Sequence, residues 1–314
     1  MTIPKKYKNE IRKHYFLDKY VVVAYGRFGR PHDYMRIDKT KRVKRCHFCG
    51  DEDRPMILRY PETGAWKIKV IPNAFPAVSL ENSSAYGKQE IVIETPVHNQ
   101  EFSEMTINNI KNTLDVYQRR VEEILKVRHI KYVLVFKNDG PRSGASLSHS
   151  HSQIFAAEVM PPKISNEING LKKYKQKRKT CAYCDIVKKE RKSDRMIFAD
   201  NHSIAFAPYA SEYKLETWIV PVKHKKTISE LTDNEKLSIA KNLKKILNRL
   251  DRRNFSYNLF FSNFIVNKKQ DFHFVIKIQP RVNTWGGVEL GCGIIFNSYP
   301  PERVPDFYRK NILE

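Results

Sequence analysis

No run of about 18 apolar residues occurs in the chain, which leaves no candidate for a membrane-spanning helix. The opening residues Met1-Thr-Ile-Pro-Lys-Lys-Tyr-Lys8 are polar and basic and lack the apolar segment of a secretion signal. A cytoplasmic protein is therefore expected. Cysteine is scarce, with five in 314 residues, and four of these fall in two Cys-x-x-Cys pairs. That pattern suits metal ligands better than a disulfide framework. Acidic residues are also few: 34 Asp and Glu stand against 57 Lys and Arg, for a formal charge of +23. No cluster of carboxylates asks for magnesium.

Such positive charge can reflect a general habit of the proteome, a phosphorylated substrate, or nucleic acid, and we rank them in that order. The basic residues are scattered, with one dense run at Lys172–Lys179 that is expected to be an exposed connection. No recognisable nucleic-acid module accompanies it, which argues against RNA or DNA as a partner. With 41% apolar content the chain can bury one large core or two smaller ones.

The richest stretch is Asn138-Asp-Gly-Pro-Arg-Ser-Gly-Ala-Ser-Leu-Ser-His149-Ser-His151-Ser-Gln153. Lys131–Phe136 before it and Ile154–Ala157 after it read as strands, joined by a glycine-bearing loop. In an extended chain alternate side chains share a face, so His149, His151 and Gln153 would lie at steps of roughly 6.5–7 Å. A solvated polar face is the plainer reading, but it leaves two imidazoles beneath a glycine loop without a reason. A phosphate site explains them: loop N–H groups and Ser146 hold anionic oxygens while an imidazole attacks phosphorus.

Read from Asn138 to Gln153, the pattern Asn-x-Gly-x-x-x-Gly-x-Ser-x-x-His-x-His-x-Gln resembles the active-site segment of galactose-1-phosphate uridylyltransferases. These form the nucleotidyl-transferring branch of the histidine triad superfamily. Hydrolytic relatives usually end the pattern in a third histidine, where this chain has Gln153. An amide can hold a phosphate oxygen but cannot protonate a leaving group, which favours transfer to a phosphate acceptor over hydrolysis. The resemblance implies His151 as nucleophile, Gln153 beside it, and Asn138, Gly144 and Ser146 holding phosphate. It also implies that Arg27 and Arg30, in Arg27-Phe-Gly-Arg30-Pro31, contact nucleotide phosphates through their guanidinium forks.

Landmarks recur along the chain in the same order. Cys46-x-x-Cys49, strands to Glu94, His98, a helical stripe over Thr106–Leu125 and the His149 strand make one series. Cys181-x-x-Cys184, strands to Val220, His224, a helix with Leu237, Ala240, Leu243 and Leu250 on one face, and the strand from Asp271 make the second. We read an α+β fold of two tandem histidine-triad-like modules, residues 1–165 and 166–314, each an antiparallel sheet with a packed helix. The family is built the same way.

The two Cys pairs could meet in one zinc site or be buried or redox thiols, but the repetition gives each its own histidines. Cys46, Cys49, His98 and His149 then form a tetrahedral zinc site, the set that also matches the family's ligands. Cys181, Cys184 and His224 repeat it, with Asp271 expected as fourth donor and His273 as competitor. Cys292 is expected to be a buried small residue.

The resemblance implies a nucleotide sugar and a sugar phosphate as partners, a setting in galactose and other carbohydrate metabolism, and leaves a homodimer open. The chain departs from the family where substrates are chosen. Asn73-Ala74-Phe75 lacks the carboxylate of the family's Asn-Asp-Phe, and Asn283–Glu289 keeps only Glu289 of the hexose-contacting groups. An adenylyl-transferring phosphorylase acting on an ADP-sugar or diadenosine tetraphosphate is the alternative, and a non-catalytic zinc-binding RNA-interaction protein a more distant one.

Overall fold

The computed structural model describes residues 8–27, 46–49, 55–265 and 272–310. The chain begins with a hairpin, β1 (Glu10–Lys13) and β2 (Tyr20–Val23), and continues through β3 (Leu58–Tyr60), β4 (Ile68–Pro72) and β5 (Gly87–Ile93). Helix α1 (Ile107–Ile124) follows, then β6 (Tyr132–Asp139), β7 (His151–Ala157), α2 (Pro162–Arg178) and α3 (Ala182–Glu190). Next come β8 (Met196–Ala199), β9 (Ser203–Phe206), β10 (Thr217–Pro221), α4 (Asp233–Asp251), β11 (Tyr257–Ile265) and β12 (Val275–Pro280). The chain closes with α5 (Gly287–Cys292), β13 (Ile295–Asn297) and α6 (Val304–Arg309).

Ten strands form one antiparallel sheet in the order β3-β4-β5-β7-β6-β11-β12-β10-β9-β8. Counted outwards from the β6–β11 seam, the two halves read alike: a long strand, the strand after the glycine loop or its counterpart, then three more. The expected α+β class and antiparallel sheets are what the chain forms. The separate three-stranded sheet β1-β2-β13 joins the two ends of the chain, β13 running parallel to β2.

Alternation sorts the residues of each strand between two faces. On one face Val133 and Val135, Ile154 and Ala156, Ile219, Ile276 and Ile278 pack against α1 and α4 in a single core that spans both halves. Both helices start as their sequences dictate. Thr106 caps α1 by accepting from Asn109 N–H, and Thr232 with Glu235 forms a capping box on α4.

The other face differs between the halves. In the second half Ile204, Phe206, Trp218, Val220 and Val275 lie beneath α2 and α3, joined by Tyr15 and Phe16 of the first hairpin. Here the basic run departs from expectation: Lys172 to Arg178 are the last turns of α2, and Lys179 ends it with a left-handed φ of 62°. The spacing Ile164, Ile168, Leu171, Tyr174 gives the run an apolar side that the lysines conceal from a reading by charge. Gly170 allows the close approach. A Cβ there would stand 2.7 Å from Leu17 Cδ2 and 3.0 Å from Phe16 O. The expected division at residue 165 falls in the first turn of α2.

Candidate active site and metal centres

On the face of the first half opposite α1, β7 presents His151 and Gln153, and β6 presents Phe136 directly opposite Gln153 with Asn138 two residues on. His149 precedes the strand and is buried. The ring Nδ1 of His151 is 2.8 Å from the carbonyl of His149, which fixes Nδ1 as the protonated nitrogen and leaves the Nε2 lone pair unprotonated. Burial, and then the Lys137 ammonium, hold the His151 imidazole below its usual pKa, so the ring is neutral. Gln153 makes no side-chain hydrogen bond among the described residues.

Behind this strand lies a buried polar network. The Lys137 ammonium donates to Glu94 Oε2 at 2.8 Å, to Ser150 Oγ at 3.0 Å and to the His151 carbonyl at 3.1 Å, which uses all three of its N–H groups. Glu94 accepts in turn from Ser150 at 2.6 Å, from Tyr117 at 2.8 Å, and from Ser152. Burial alone would raise the Glu94 carboxyl, but Lys137 and the hydroxyls outweigh it and hold it below its ordinary value. The strand that carries His151 is thus braced from the core side by an ion pair that no sequence pattern marks.

Cys46, Cys49, His98 and His149 converge, their ligand atoms all within 4.8 Å of one another. The sulfur-to-Nδ1 separations are 3.6 Å for Cys46–His149, 3.5 Å for Cys49–His149 and 3.4 Å for Cys49–His98. Zinc–sulfur bonds of about 2.3 Å and zinc–nitrogen bonds of about 2.05 Å at tetrahedral angles give edges of about 3.6 Å, so the four donors fit a zinc ion. His149 Nε2 donates to the Thr95 carbonyl at 2.8 Å, which turns Nδ1 toward the sulfurs. Phe48, within the Cys loop, sets its ring edge-on to both His149 and His151, at 5.8 and 5.3 Å between centroids. The Cys46–Cys49 loop and the His151 ring are therefore packed together.

The second cluster is Cys181, Cys184, His224 and His273, again within 4.8 Å. Cys184 Sγ lies 3.4 Å from His224 Nδ1 and 3.6 Å from His273 Nδ1, and His273 Nε2 donates to the Pro221 carbonyl at 3.1 Å. Among the described residues the competitor His273, not the expected Asp271, completes the cluster, and Asp271 itself lies outside the described residues. The reason is register: His273 precedes β12 by the same two residues as His149 precedes β7, and the carbonyls that face them, of Thr95 just past β5 and of Pro221 at the end of β10, each lie three residues before the next histidine of the cluster. Val275 then stands where His151 does, and Lys277 where Gln153 does. Val275 is fully buried in the apolar layer under α3, and Lys277 faces Trp218 and Glu167. The second half carries the Cys/His cluster without a counterpart of His151.

The glycine loop leaves β6 through Gly140 and a short 3-10 turn, Pro141–Ser143, to Gly144, whose φ of 86° is a left-handed conformation that favours glycine. Ser146 is exposed in this loop. Asn73 folds on itself, its Oδ1 accepting from Phe75 N–H at 2.9 Å, and Phe75 is 92% exposed. Glu289 lies on α5, which packs on β13, and accepts from Gly286 N–H at 2.9 Å as a cap. Cys292, expected to be buried, is exposed at the end of that helix. Arg27 ends a 3-10 turn, Tyr25–Arg27; its side chain, and all of Arg30, lie outside the described residues. Sequence reading overlooked Phe48, Glu94, Lys137 and Asn258. Only the register of the His273 strand was open to it.

A ten-stranded sheet with a neutral, buried imidazole on a His-x-His-x-Gln strand beside a Cys₂His₂ cluster belongs to the nucleotidyl-transferring class of the histidine-triad fold. Residues 73–161 match the N-terminal domain of galactose-1-phosphate uridyl transferase, and residues 167–277 match its C-terminal domain. An ADP-glucose phosphorylase of Arabidopsis thaliana is 31% identical over 96% of this chain and 92% of its own. A galactose-1-phosphate uridylyltransferase of Thermotoga maritima is 25% identical over 97% and 99%. The solved structure of an Arabidopsis thaliana ADP-glucose phosphorylase with bound ADP-glucose superposes with a TM-score of 0.86 at 30% identity, covering 98% of this chain and 100% of that one. The chain belongs to the galactose-1-phosphate uridylyltransferase family, and is an enzyme of its transferase and phosphorylase kind.

Among the described residues no helix is long and apolar enough to cross a membrane.

Proposed function

We propose that the protein transfers a nucleoside monophosphate from a nucleoside diphosphate sugar to a phosphate acceptor, by way of a nucleotidyl-His151 intermediate. The observation that carries this is the His151 ring: Nδ1–H is committed to the His149 carbonyl, so Nε2 holds the ring's free lone pair. Nε2 attacks the α-phosphorus, the bond from that phosphorus to the bridging oxygen breaks, and a sugar 1-phosphate departs with the electron pair. An acceptor phosphate oxygen then attacks the same phosphorus and frees the imidazole. Both leaving groups are stable anions or a neutral ring, so no general acid is needed, and Gln153 suits the role of holding a non-bridging oxygen. Asn138, the Gly144 amide and Ser146 hold phosphate oxygens, and Arg27 and Arg30 add positive charge. Cys46, Cys49, His98 and His149 would hold a zinc ion whose part is structural, and His149 and Phe48 would link that site to the His151 strand.

For the donor we propose an ADP-sugar, with inorganic phosphate as acceptor. Its supports are the Arabidopsis thaliana relative and the loss of the carboxylate at Ala74, and Asn73 and Glu289 are assigned to nucleoside and sugar. A UDP-sugar with a sugar 1-phosphate is the second reading, supported by the Thermotoga maritima relative. The protein is mixed separately with ADP-glucose and UDP-glucose radiolabelled at the α-phosphate, and acid-labile, base-stable label on protein is counted. Label from ADP-glucose that phosphate removes as ADP is expected. Label from UDP-glucose alone refutes the adenine assignment, and wild-type labelling by His151→Gly refutes the mechanism.

A further inference from the structure

The phosphate loop and its asparagine are tied to the second half of the sheet. In the β6–β11 seam Asn258 stands opposite Asn138. Its side-chain amide donates to the Ser143 carbonyl at 2.9 Å and to Asn138 Oδ1 at 2.8 Å. Two residues earlier, just before the strand begins, Ser256 Oγ accepts from the Arg142 N–H at 3.3 Å. The segment Ser256–Asn258 therefore grips the loop at two of its three 3-10 residues, Arg142 and Ser143.

We infer that Asn258 is a positioning residue for nucleotidyl transfer, setting which way the Asn138 amide points and holding the loop that carries Gly144 and Ser146. The inference rests on the transfer reading above. An amide side chain can flip, but a backbone carbonyl only accepts, so the Asn258 atom that faces Ser143 O must be Nδ2. The second N–H on that nitrogen demands an acceptor on Asn138, which must be Oδ1. The Asn138 NH₂ is then the group left for the loop, with Nδ2 4.0 Å from where a Cβ would stand on Gly144. An anionic phosphate oxygen needs donors, and a flipped Asn138 would meet it with a carbonyl oxygen instead. The orientation of the Asn138 amide is thus transmitted from the Ser143 carbonyl through Asn258.

The test compares Asn258→Asp with Asn258→Ala in the zinc-loaded protein, measuring the single-turnover rate of His151 labelling at saturating nucleotide, the apparent KM, metal content and melting temperature. Aspartate is nearly isosteric but cannot donate, so it turns the Asn138 NH₂ away from the loop and repels the Ser143 carbonyl. A residue that only fills space would make Asp the milder change. Positioning makes it the harsher one: about 100-fold slower labelling for Asp and about 10-fold for Ala, with metal retained and the loss mainly in rate. With Asn138→Ala already present, Asn258→Ala should add less than about 2-fold, since there is no amide left to orient.

Labelling by Asn258→Asp as fast as by Asn258→Ala overturns the inference. Should the Asp variant fail to fold, the Ala pair decides, because an Asn258→Ala effect undiminished beside Asn138→Ala also overturns it. Wild-type protein that takes no label from any nucleotide sugar would instead refute the transfer reading.

Discussion

Replacing Lys137 by methionine removes one member of a buried ion pair while keeping most of its volume. Lys137 and Glu94 have side chains 3% and 0% exposed and meet at 2.8 Å. The pair as a whole need not add net stability, because taking both charges out of water offsets their attraction. Removing one charge is a different matter. The Glu94 carboxylate would remain in the core with three hydroxyl donors and no cation, at a cost of about 3–5 kcal/mol. The Lys137 ammonium also leaves the Ser150 hydroxyl and the His151 carbonyl, so the labelling rate should fall as well. Urea unfolding of the zinc-loaded wild type, Lys137→Met, Glu94→Gln and the double variant gives the cycle. The double variant should cost less than the sum of the singles by at least about 2 kcal/mol, since it leaves no lone charge. A Lys137→Met protein within about 1 kcal/mol of wild type, or strict additivity, would show that the pair is not the brace described.

Three further outcomes are expected. His273→Asn should lower zinc content from about two per chain toward one by metal analysis, and Asp271→Asn should leave it unchanged; the reverse restores Asp271 as ligand. Cys46→Ser should lose the other metal, lower the melting temperature and slow labelling, and a variant that melts as wild type with full metal content would contradict the site. Burial, and then Lys277, lower the His14 pKa from 6.5 to about 4, and its Nδ1 accepts from the Phe16 and Leu17 amides. A depressed histidine pKa gives stability that is present above pH 6.5 and lost as pH falls toward 4, worth about 2 kcal/mol after allowance for partial exposure. His14→Asn, which keeps a local acceptor, should flatten that acid limb in pH-resolved unfolding, and an unchanged limb would refute it.

The sequence made the His-x-His-x-Gln strand, both Cys pairs and both long helices legible, because spacing alone fixes which residues share a face. It left the Lys137–Glu94 pair dark, since a lysine at the end of an apolar strand looks like an exposed terminus until the fold encloses it. Asn258 was invisible for a related reason: its partners are over a hundred residues away, and only the seam between β6 and β11 brings them together. Asp271 was preferred over His273 because the duplicated strand was aligned on its first polar residue rather than on the residue that precedes the ladder by two. The basic run misled because charge is a weaker guide than the apolar spacing beneath it.

The seam itself has a bearing on how such a molecule could diversify. A half-length chain would end its sheet at an open β6-like edge, and the simplest way to close that edge is with a second copy of itself, which rebuilds ten strands from two identical polypeptides. In that arrangement every substitution is made twice, and a change that fills one catalytic face fills both. Carrying both halves on one chain lifts that constraint. One half can keep His151 and Gln153, while the other accepts Val275 and Lys277, takes α2 and α3 over its face, and offers Asn258 as a tool for its neighbour.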